Sequence, residues 1–131
     1  MHTPCLEEIA VAVDTSGSIS NEELEQFTGE VTSILHDTNP ERIHFLQCDT
    51  EVRVDEEYTR ENLPLKVTYE GRGGTCFSPV IDHINEKHPG VSALVYLTDL
   101  ESNDFGTQPH YPVLWVSTHS EEAPYGEVIK I

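Results

Sequence analysis

Oxygen-bearing side chains crowd the point where an early apolar run ends. Residues 11–13 are apolar, and the segment DTSGS that follows carries a carboxylate at Asp14 and hydroxyls at Ser16 and Ser18. Three kinds of structure use such groups: a nucleophilic or acid–base catalytic site, a site for a hard metal ion, and a polar turn that leads into a helix cap. The remainder of the sequence has to distinguish among the three.

Two later segments carry the same oxygen chemistry. Thr75 follows the glycine-rich residues 70–74, and Asp99 comes shortly after the apolar residues 93–97. Loops that leave the carboxyl ends of parallel strands lie on one edge of a sheet, where open α/β folds bind ligands. We therefore expect five oxygen-bearing side chains to converge at that edge: Asp14, Ser16, Ser18, Thr75 and Asp99. With no lysine or arginine among them, these two carboxylates and three hydroxyls suit a hard divalent cation such as Mg²⁺ or Mn²⁺.

Hydrophobic patterning predicts strands that alternate with helices. Apolar runs predict buried strands at residues 9–13, 42–48, 93–97 and 113–116, and residues 126–131 offer a last strand. Residues 51–55 alternate apolar and charged side chains, as a half-exposed edge strand does. Apolar residues at helical spacing follow Ser20 and again follow Phe77, so we expect one helix after each. Ser20 and Glu23 have the spacing of a capping box, and Pro79 suits the first turn of the second helix.

This order of elements indicates a single α/β domain spanning residues 1–131. A chain of this length buries enough surface to support its own core. Strands separated by helical segments imply right-handed crossovers and three layers. We expect a central, mainly parallel sheet with one antiparallel edge strand, and helices on both faces.

The composition argues against several classes of function. With 24 acidic and 7 basic residues, the formal net charge of -17 repels nucleic-acid phosphates and attracts cations and basic protein surfaces. No apolar run approaches the roughly 18 residues that span a bilayer. The first residues, MHTPCLEE, lack the basic start and apolar middle of a signal peptide. We therefore expect a cytoplasmic protein that binds neither membranes nor nucleic acids.

The cysteines and histidines form no familiar metal-binding motif. Cys5, Cys48 and Cys76 include no CxxC pair, so neither a disulfide framework nor a zinc knuckle is indicated. The seven histidines are scattered and include no HExxH sequence. His83 and His88 are five residues apart, which is a poor spacing for sharing a metal from one helix face.

The oxygen-bearing segments resemble a known family. Residues 11–18, VAVDTSGS, look like the D-x-S-x-S motif of von Willebrand factor A-type (VWA) domains, which hold a metal-ion-dependent adhesion site at this edge of the sheet. GGT at residues 73–75 and TD at residues 98–99 stand where the family has its second and third site motifs. Over almost the full chain, the sequence resembles the C-terminal VWA-like domain of bacterial and phage metallopeptidase-like proteins. Segments that carry this resemblance include EEIAVAVDTSGSIS, GRGGTCFSPVID and YLTDLES.

The resemblance implies a role for each site residue. Ser16 and Ser18 would bind the ion directly through their hydroxyls. Asp14 and Asp99 would act directly or through water, and Thr75 would join when a ligand is bound. Because few carboxylates contact the ion directly, its open position would favour an anion, typically an Asp or Glu of a protein partner. The N-terminus of the first predicted helix would favour the same anion.

Two positions depart from this branch of the family. Cys76 stands where the branch usually has an acidic residue, and the lost charge should weaken the metal site. Leu100 stands where a glycine is expected after Asp99, and it restricts the backbone of that loop. The metallopeptidase-like proteins carry HExxH in a partner domain that is absent from this sequence. The resemblance therefore implies no peptidase chemistry for this chain.

These observations predict a non-catalytic module that binds a protein partner through Mg²⁺ or Mn²⁺. The resemblance suggests, as partner, a metallopeptidase-like domain or a MoxR-type AAA+ ATPase. One alternative is a magnesium-dependent phosphatase-like enzyme with Asp14 as nucleophile, although Ser16 stands where such an enzyme needs a second acid. Another is a scaffold with a decayed metal site that binds through its acidic surface.

Overall fold

The computed structural model describes residues 8–15, 20–38, 41–49, 51–58, 77–98, 100, 105–118 and 122–130. They form strands β1 (Glu8–Asp14), β2 (Arg42–Cys48), β3 (Val52–Tyr58), β4 (Ala93–Thr98), β5 (Val113–Ser117) and β6 (Glu127–Lys130). Helix α1 (Asn21–Thr38) lies between β1 and β2, and helix α2 (Ser78–Lys87) lies between β3 and β4. The predicted strands and helices are thus confirmed, although the edge strand extends further than expected, to Tyr58.

The six strands form one sheet in the order β3-β2-β1-β4-β5-β6. Neighbouring strands are parallel except β2 and β3, which pair antiparallel at one edge. β1 is central, and its Val13 is aligned with Gln47 of β2 and with Leu97 of β4. The predicted mainly parallel sheet with one antiparallel edge strand is therefore confirmed. We call the edge where the parallel strands end the carboxyl edge, and the opposite one the amino edge.

Within the described residues, one helix covers each face of the sheet. α1 packs its apolar side, including Phe27 and Val31, against one face of the central strands. α2 packs Ile81 and Ile84 into the core on the other face, together with Ala12 of β1. Helices therefore lie on both faces, as predicted, and β1 and β4 are buried after their first residue.

The ends of the helices follow local sequence signals. The backbone N–H of Ser20 donates to Oε1 of Glu23, and the N–H of Glu23 donates to Oγ of Ser20, so the predicted capping box is confirmed. α2 begins after Phe77 with proline in its first turn. It ends at His88, whose N–H donates to the Ile84 carbonyl. Among the described residues, no helix is both long enough and apolar enough to span a membrane.

The core on the α2 side of the sheet has an aromatic centre. Trp115 of β5 is fully buried and stacks on Tyr96 of β4, with ring centroids 5.2 Å apart and planes inclined by 21°. The ring of Phe77 lies 5.2 Å from the same indole. Nε1 of Trp115 donates a 2.9 Å hydrogen bond to the Tyr125 carbonyl. This bond ties β5 to the segment that leads into β6.

Gly126 occupies a position that only glycine fits. Its φ of 78° lies in the left-handed region. A Cβ atom at this position would lie 2.5 Å from the carbonyl oxygen of Val113 and 3.1 Å from Nε1 of Trp115. The backbone can therefore pass closely over β5 before it enters β6.

Candidate functional site

The carboxyl edge brings Asp14 and Thr98 together. Asp14 is the last residue of β1, Thr98 is the last residue of the neighbouring β4, and both are fully buried. Oγ1 of Thr98 donates a 2.6 Å hydrogen bond to Oδ2 of Asp14. The alternation of side chains along each strand places Asp14 on the side of Ala12 and Thr98 on the side of Tyr96, which is the α2 side. The hydrogen bond therefore orients a buried carboxylate at the predicted metal site.

The first turn of α1 is tied to the same edge. Oε2 of Glu23 accepts a 2.5 Å hydrogen bond from Oγ1 of Thr118, which follows β5. The N–H of Thr118 donates to the carbonyl of Thr98 at 3.2 Å. The N-terminus of α1, where the helix dipole favours negative charge, is thus held close to the ends of β4 and β5.

Two further polar side chains are buried at this edge. Oγ1 of Thr15 is buried and has no hydrogen-bond partner within the described ranges. Asp49, directly after β2, is 1% exposed, and its Oδ1 accepts a 3.3 Å hydrogen bond from the N–H of Glu51. Buried carboxylate and hydroxyl oxygens are the donors that hard cations bind. In the part of the chain that the structure describes, the carboxyl edge therefore carries oxygen donors of the kind that hard cations bind.

Of the five predicted metal ligands, Asp14 lies within the described residues, at the expected carboxyl end of β1. The other four lie outside the described residues: Ser16, Ser18, Thr75 and Asp99. Cys76 also lies outside them. Thr98, which holds Asp14, immediately precedes Asp99 in the chain. The convergence of all five side chains and the identity of the ion stay predictions.

Two polar residues of this edge, Thr98 and Asp49, are missing from the predicted site. The signal for Thr98 is present in the sequence, because alternation along β4 puts it on the same face as Tyr96. Once β1 and β4 are taken as neighbours, a contact with Asp14 follows. No comparable signal marks Asp49, because its burial depends on how the chain turns from β2 into β3.

Leu100 adopts a backbone conformation that suits glycine better. Its φ of 60° lies in the left-handed region, where a residue with a side chain is strained by roughly 1–2 kcal/mol. The side chain is 6% exposed and belongs to the α2-side core. The N–H of Leu100 donates a 3.1 Å hydrogen bond to Oγ1 of Thr98. The strained backbone therefore helps to position the hydroxyl that binds Asp14.

Glycine at position 100 should be tolerated better than alanine. Both Leu100→Ala and Leu100→Gly remove a buried side chain, which costs about 2–5 kcal/mol. Glycine alone relieves the strained φ, so L100G should be more stable than L100A by about 1 kcal/mol in urea denaturation. The reverse order, which is usual at positions with negative φ, would show that the backbone at this position is not left-handed.

A second polar cluster lies toward the amino edge, on the α2 side of the sheet. We call His44 of β2, Asp55 of β3, His83 of α2 and the cap residue His88 the histidine cluster. Oδ2 of Asp55 accepts hydrogen bonds from Nε2 of His83 at 2.6 Å and of His88 at 2.8 Å. The rings of His44 and His88 stack with centroids 3.8 Å apart. Ligand atoms of His44, Asp55 and His88 all lie within 4.8 Å of one another, so these three residues could hold a metal ion.

Burial and hydrogen bonding act in opposite directions on Asp55. Partial burial raises the pKa of its carboxyl, whereas hydrogen bonds and electrostatic attraction from His83 and His88 lower it. The lowering influences prevail, and the pKa of Asp55 lies below its ordinary value. Asp55 is therefore a carboxylate near neutral pH, which is the form that accepts hydrogen bonds and binds cations.

No sequence motif predicts the histidine cluster. Its members come from β2, β3 and α2, and the spacing of His83 and His88 argues against a metal shared from one helix face. The structure removes that constraint, because His88 is the cap that follows the last turn of α2. Both histidines reach the same carboxylate oxygen of Asp55 on the edge strand.

Comparison with solved structures supports the VWA-like fold. Nineteen chains of solved structures match this chain. One is the crystal structure of the conserved hypothetical protein BatB from Bacteroides thetaiotaomicron, with a TM-score of 0.62 and 16% sequence identity. The match covers 84% of this chain and 66% of the BatB chain, so this chain spans just under two thirds of BatB. At this identity the similarity shows a shared fold.

Comparison at the level of sequence identifies the family. No curated protein matches the chain. A family model described as "VWA-like domain (DUF2201)" matches residues 9–131, from β1 through β6. The chain therefore belongs to the VWA-like DUF2201 family.

Proposed function

We propose that this VWA-like domain is a non-catalytic interaction module that binds a protein partner through a divalent cation, Mg²⁺ or Mn²⁺. The ion would be held at the carboxyl edge by five residues: Asp14, Ser16, Ser18, Thr75 and Asp99. One observation carries the proposal: the buried carboxylate of Asp14, held by the Thr98 hydroxyl at the ends of two neighbouring parallel strands. Its chemistry and place in the sheet suit a hard cation.

The chemistry of the site favours a partner that supplies a carboxylate. Hydroxyl ligands are neutral, so an ion bound mainly by them keeps much of its charge and attracts an anion as its last ligand. The N-terminus of α1, held nearby through Glu23 and Thr118, adds to this attraction. At longer range the net charge of -17 repels acidic surfaces. The best partner would therefore place one acidic residue within a basic surface.

Replacing Asp14 with asparagine should weaken the specific binding of Mg²⁺ or Mn²⁺. The amide keeps the size of the side chain and removes the negative charge that the ion needs. In titration calorimetry we expect one ion per wild-type chain and at least a tenfold weaker affinity for Asp14→Asn, since losing about 1.4 kcal/mol of interaction has this effect. The same variant should lose the rise in melting temperature that the ion gives the wild type.

The matched control is Asp37→Asn on α1. Its side chain is 78% exposed, and the substitution makes the same change in net charge at a surface position. Asp37→Asn should therefore bind the ion as the wild type does. If both substitutions weaken ion binding equally, the ion is bound by the overall acidic charge. That result would contradict the proposed site.

The partner and the absence of catalysis need separate tests. For the partner we favour a metallopeptidase-like domain or a MoxR-type AAA+ ATPase in the cytoplasm. Complex formation with the purified candidate should require Mg²⁺, should fail in EDTA, and should fail with Asp14→Asn. Binding that survives EDTA and weakens only with salt would instead support a scaffold that acts through its acidic surface. A non-catalytic module should show no magnesium-dependent turnover of a generic phosphate ester.

A further inference from the structure

We propose that His44, Asp55 and His88 form a second metal site, for Zn²⁺, near the amino edge of the sheet. Two imidazoles and one carboxylate are ligands that zinc prefers, and three protein ligands leave a fourth position for water or a partner's side chain. Mg²⁺ strongly prefers oxygen ligands and would not compete well here. The proposal concerns a different ion and a different end of the sheet from the proposed adhesion site.

The arrangement of the three side chains is close to that of a zinc site. Their ligand atoms lie within 4.8 Å of one another, and Nε2 of His88 is 2.8 Å from Oδ2 of Asp55. Ligands of a tetrahedral zinc ion with bonds of about 2.0–2.1 Å lie about 3.3 Å apart. Binding the ion would therefore bring the most widely spaced ligand atoms closer together by up to about 1.5 Å. The stacked rings of His44 and His88, with planes inclined by 18°, would have to splay.

Neighbouring side chains hold the ligands as metal sites require. Oε1 of Glu8 lies 2.8 Å from Nε2 of His44, and a hydrogen bond donated by that nitrogen makes Nδ1 the nitrogen through which the neutral ring can bind a metal. Nε2 of His83 donates to the Asp55 carboxylate at 2.6 Å. Carboxylates that orient histidine ligands, and donors that orient carboxylate ligands, are the usual surroundings of a bound metal.

The backbones that carry the ligands are well fixed. His44 lies on a buried strand, with its side chain 6% exposed, whereas the side chains of Asp55 and His88 are 25% and 17% exposed. His88 is held at the end of α2 by its N–H bond to the Ile84 carbonyl. The ion would therefore have a path from solvent to ligands whose positions are already set, which limits the entropy lost on binding.

Zinc binding can be tested on tag-free, metal-stripped protein by titration calorimetry. Millimolar Mg²⁺ in the buffer would suppress weak binding to surface carboxylates. We expect one Zn²⁺ per chain and, for His44→Ala and His88→Ala, an affinity lower by about 100-fold or more. Glu8→Gln, which weakens the hold on the His44 ring, should lower it by about tenfold. His36→Ala, at a histidine whose side chain is 89% exposed, should leave it unchanged.

Further measurements distinguish loss of the zinc site from misfolding and from loss of the proposed adhesion site. Co²⁺ in place of Zn²⁺ should give the intense visible absorption of a tetrahedral site in the wild type, and Asp55→Asn should lose it. His88→Asn, with circular dichroism as the check on folding, replaces His88→Ala if the alanine variant does not fold. Asp14→Asn should bind zinc normally, so failure of the adhesion site leaves this proposal standing. Equal zinc affinity in the wild type and in folded His44→Ala would overturn it.

Discussion

Replacing Trp115 with alanine is expected to lower the free energy of unfolding by about 4 kcal/mol. The indole is fully buried and packs against Tyr96 and Phe77 at centroid distances of 5.2 Å, so its removal leaves a large cavity in the α2-side core. It also leaves the Tyr125 carbonyl without the 2.9 Å hydrogen bond from Nε1. Urea denaturation followed by circular dichroism is the suitable measurement, because Trp115 is the single tryptophan of the sequence.

Trp115→Phe separates the two contributions. Phenylalanine keeps most of the aromatic packing and removes the hydrogen-bond donor, so we expect a loss of about 2 kcal/mol. Ile129→Ala is the control, since that side chain is 49% exposed and its truncation should change stability by less than about 0.5 kcal/mol. A Trp115→Ala variant as stable as Ile129→Ala would show that the aromatic centre is not packed as described.

Among glycine-to-alanine substitutions at the described glycines, Gly126→Ala should lower the stability of the fold the most. The new Cβ would lie 2.5 Å from the Val113 carbonyl oxygen, in a backbone whose φ of 78° already disfavours a side chain. The left-handed conformation costs roughly 1–2 kcal/mol, and relief of the overlap by displacing β6 adds a cost typical of overpacking, for a total of about 3 kcal/mol. Thermal unfolding should show a correspondingly lower midpoint.

Gly29→Ala is the matched control and should have the opposite sign. Gly29 lies within α1, and a Cβ there would meet no atom within 4 Å. Alanine is a better helix former than glycine by about 1 kcal/mol, so this variant should be slightly more stable than the wild type. The same chemical change would thus raise stability at one glycine and lower it at the other. Two changes of the same sign would contradict the described backbone at one of the two positions.

The fold follows from the sequence where local signals and burial agree. Strands β1 and β4 are predicted from continuous apolar runs because a parallel strand is covered on both faces. The start of α1 is predicted at Ser20 because its hydroxyl and Glu23 satisfy each other's backbone N–H groups. Asp14 is placed correctly because the edge on which parallel strands end depends on topology alone.

The histidine cluster is hidden from the sequence by an irregularity in β3. Val52 packs in the α2-side core and Asp55 meets the histidines on the same face, although residues three apart on a regular strand point to opposite faces. The register of β2 and β3 shifts between Gln47 and Cys48, which changes the alternation. A pattern of alternating apolar and charged residues contains no sign of such a bulge. The contacts of Asp55 can therefore be found only in three dimensions.

The central strand β1 connects the two proposed metal sites. Glu8, which holds His44, is the first residue of this strand and Asp14 is the last. Six steps of about 3.3 Å separate them by about 20 Å, too far for the two sets of ligands to share a hydrogen bond. Metal binding at one of these sites should therefore leave the metal affinity of the other nearly unchanged. A protein bound at the carboxyl edge would leave the amino edge accessible to a second protein. The domain could then connect two proteins.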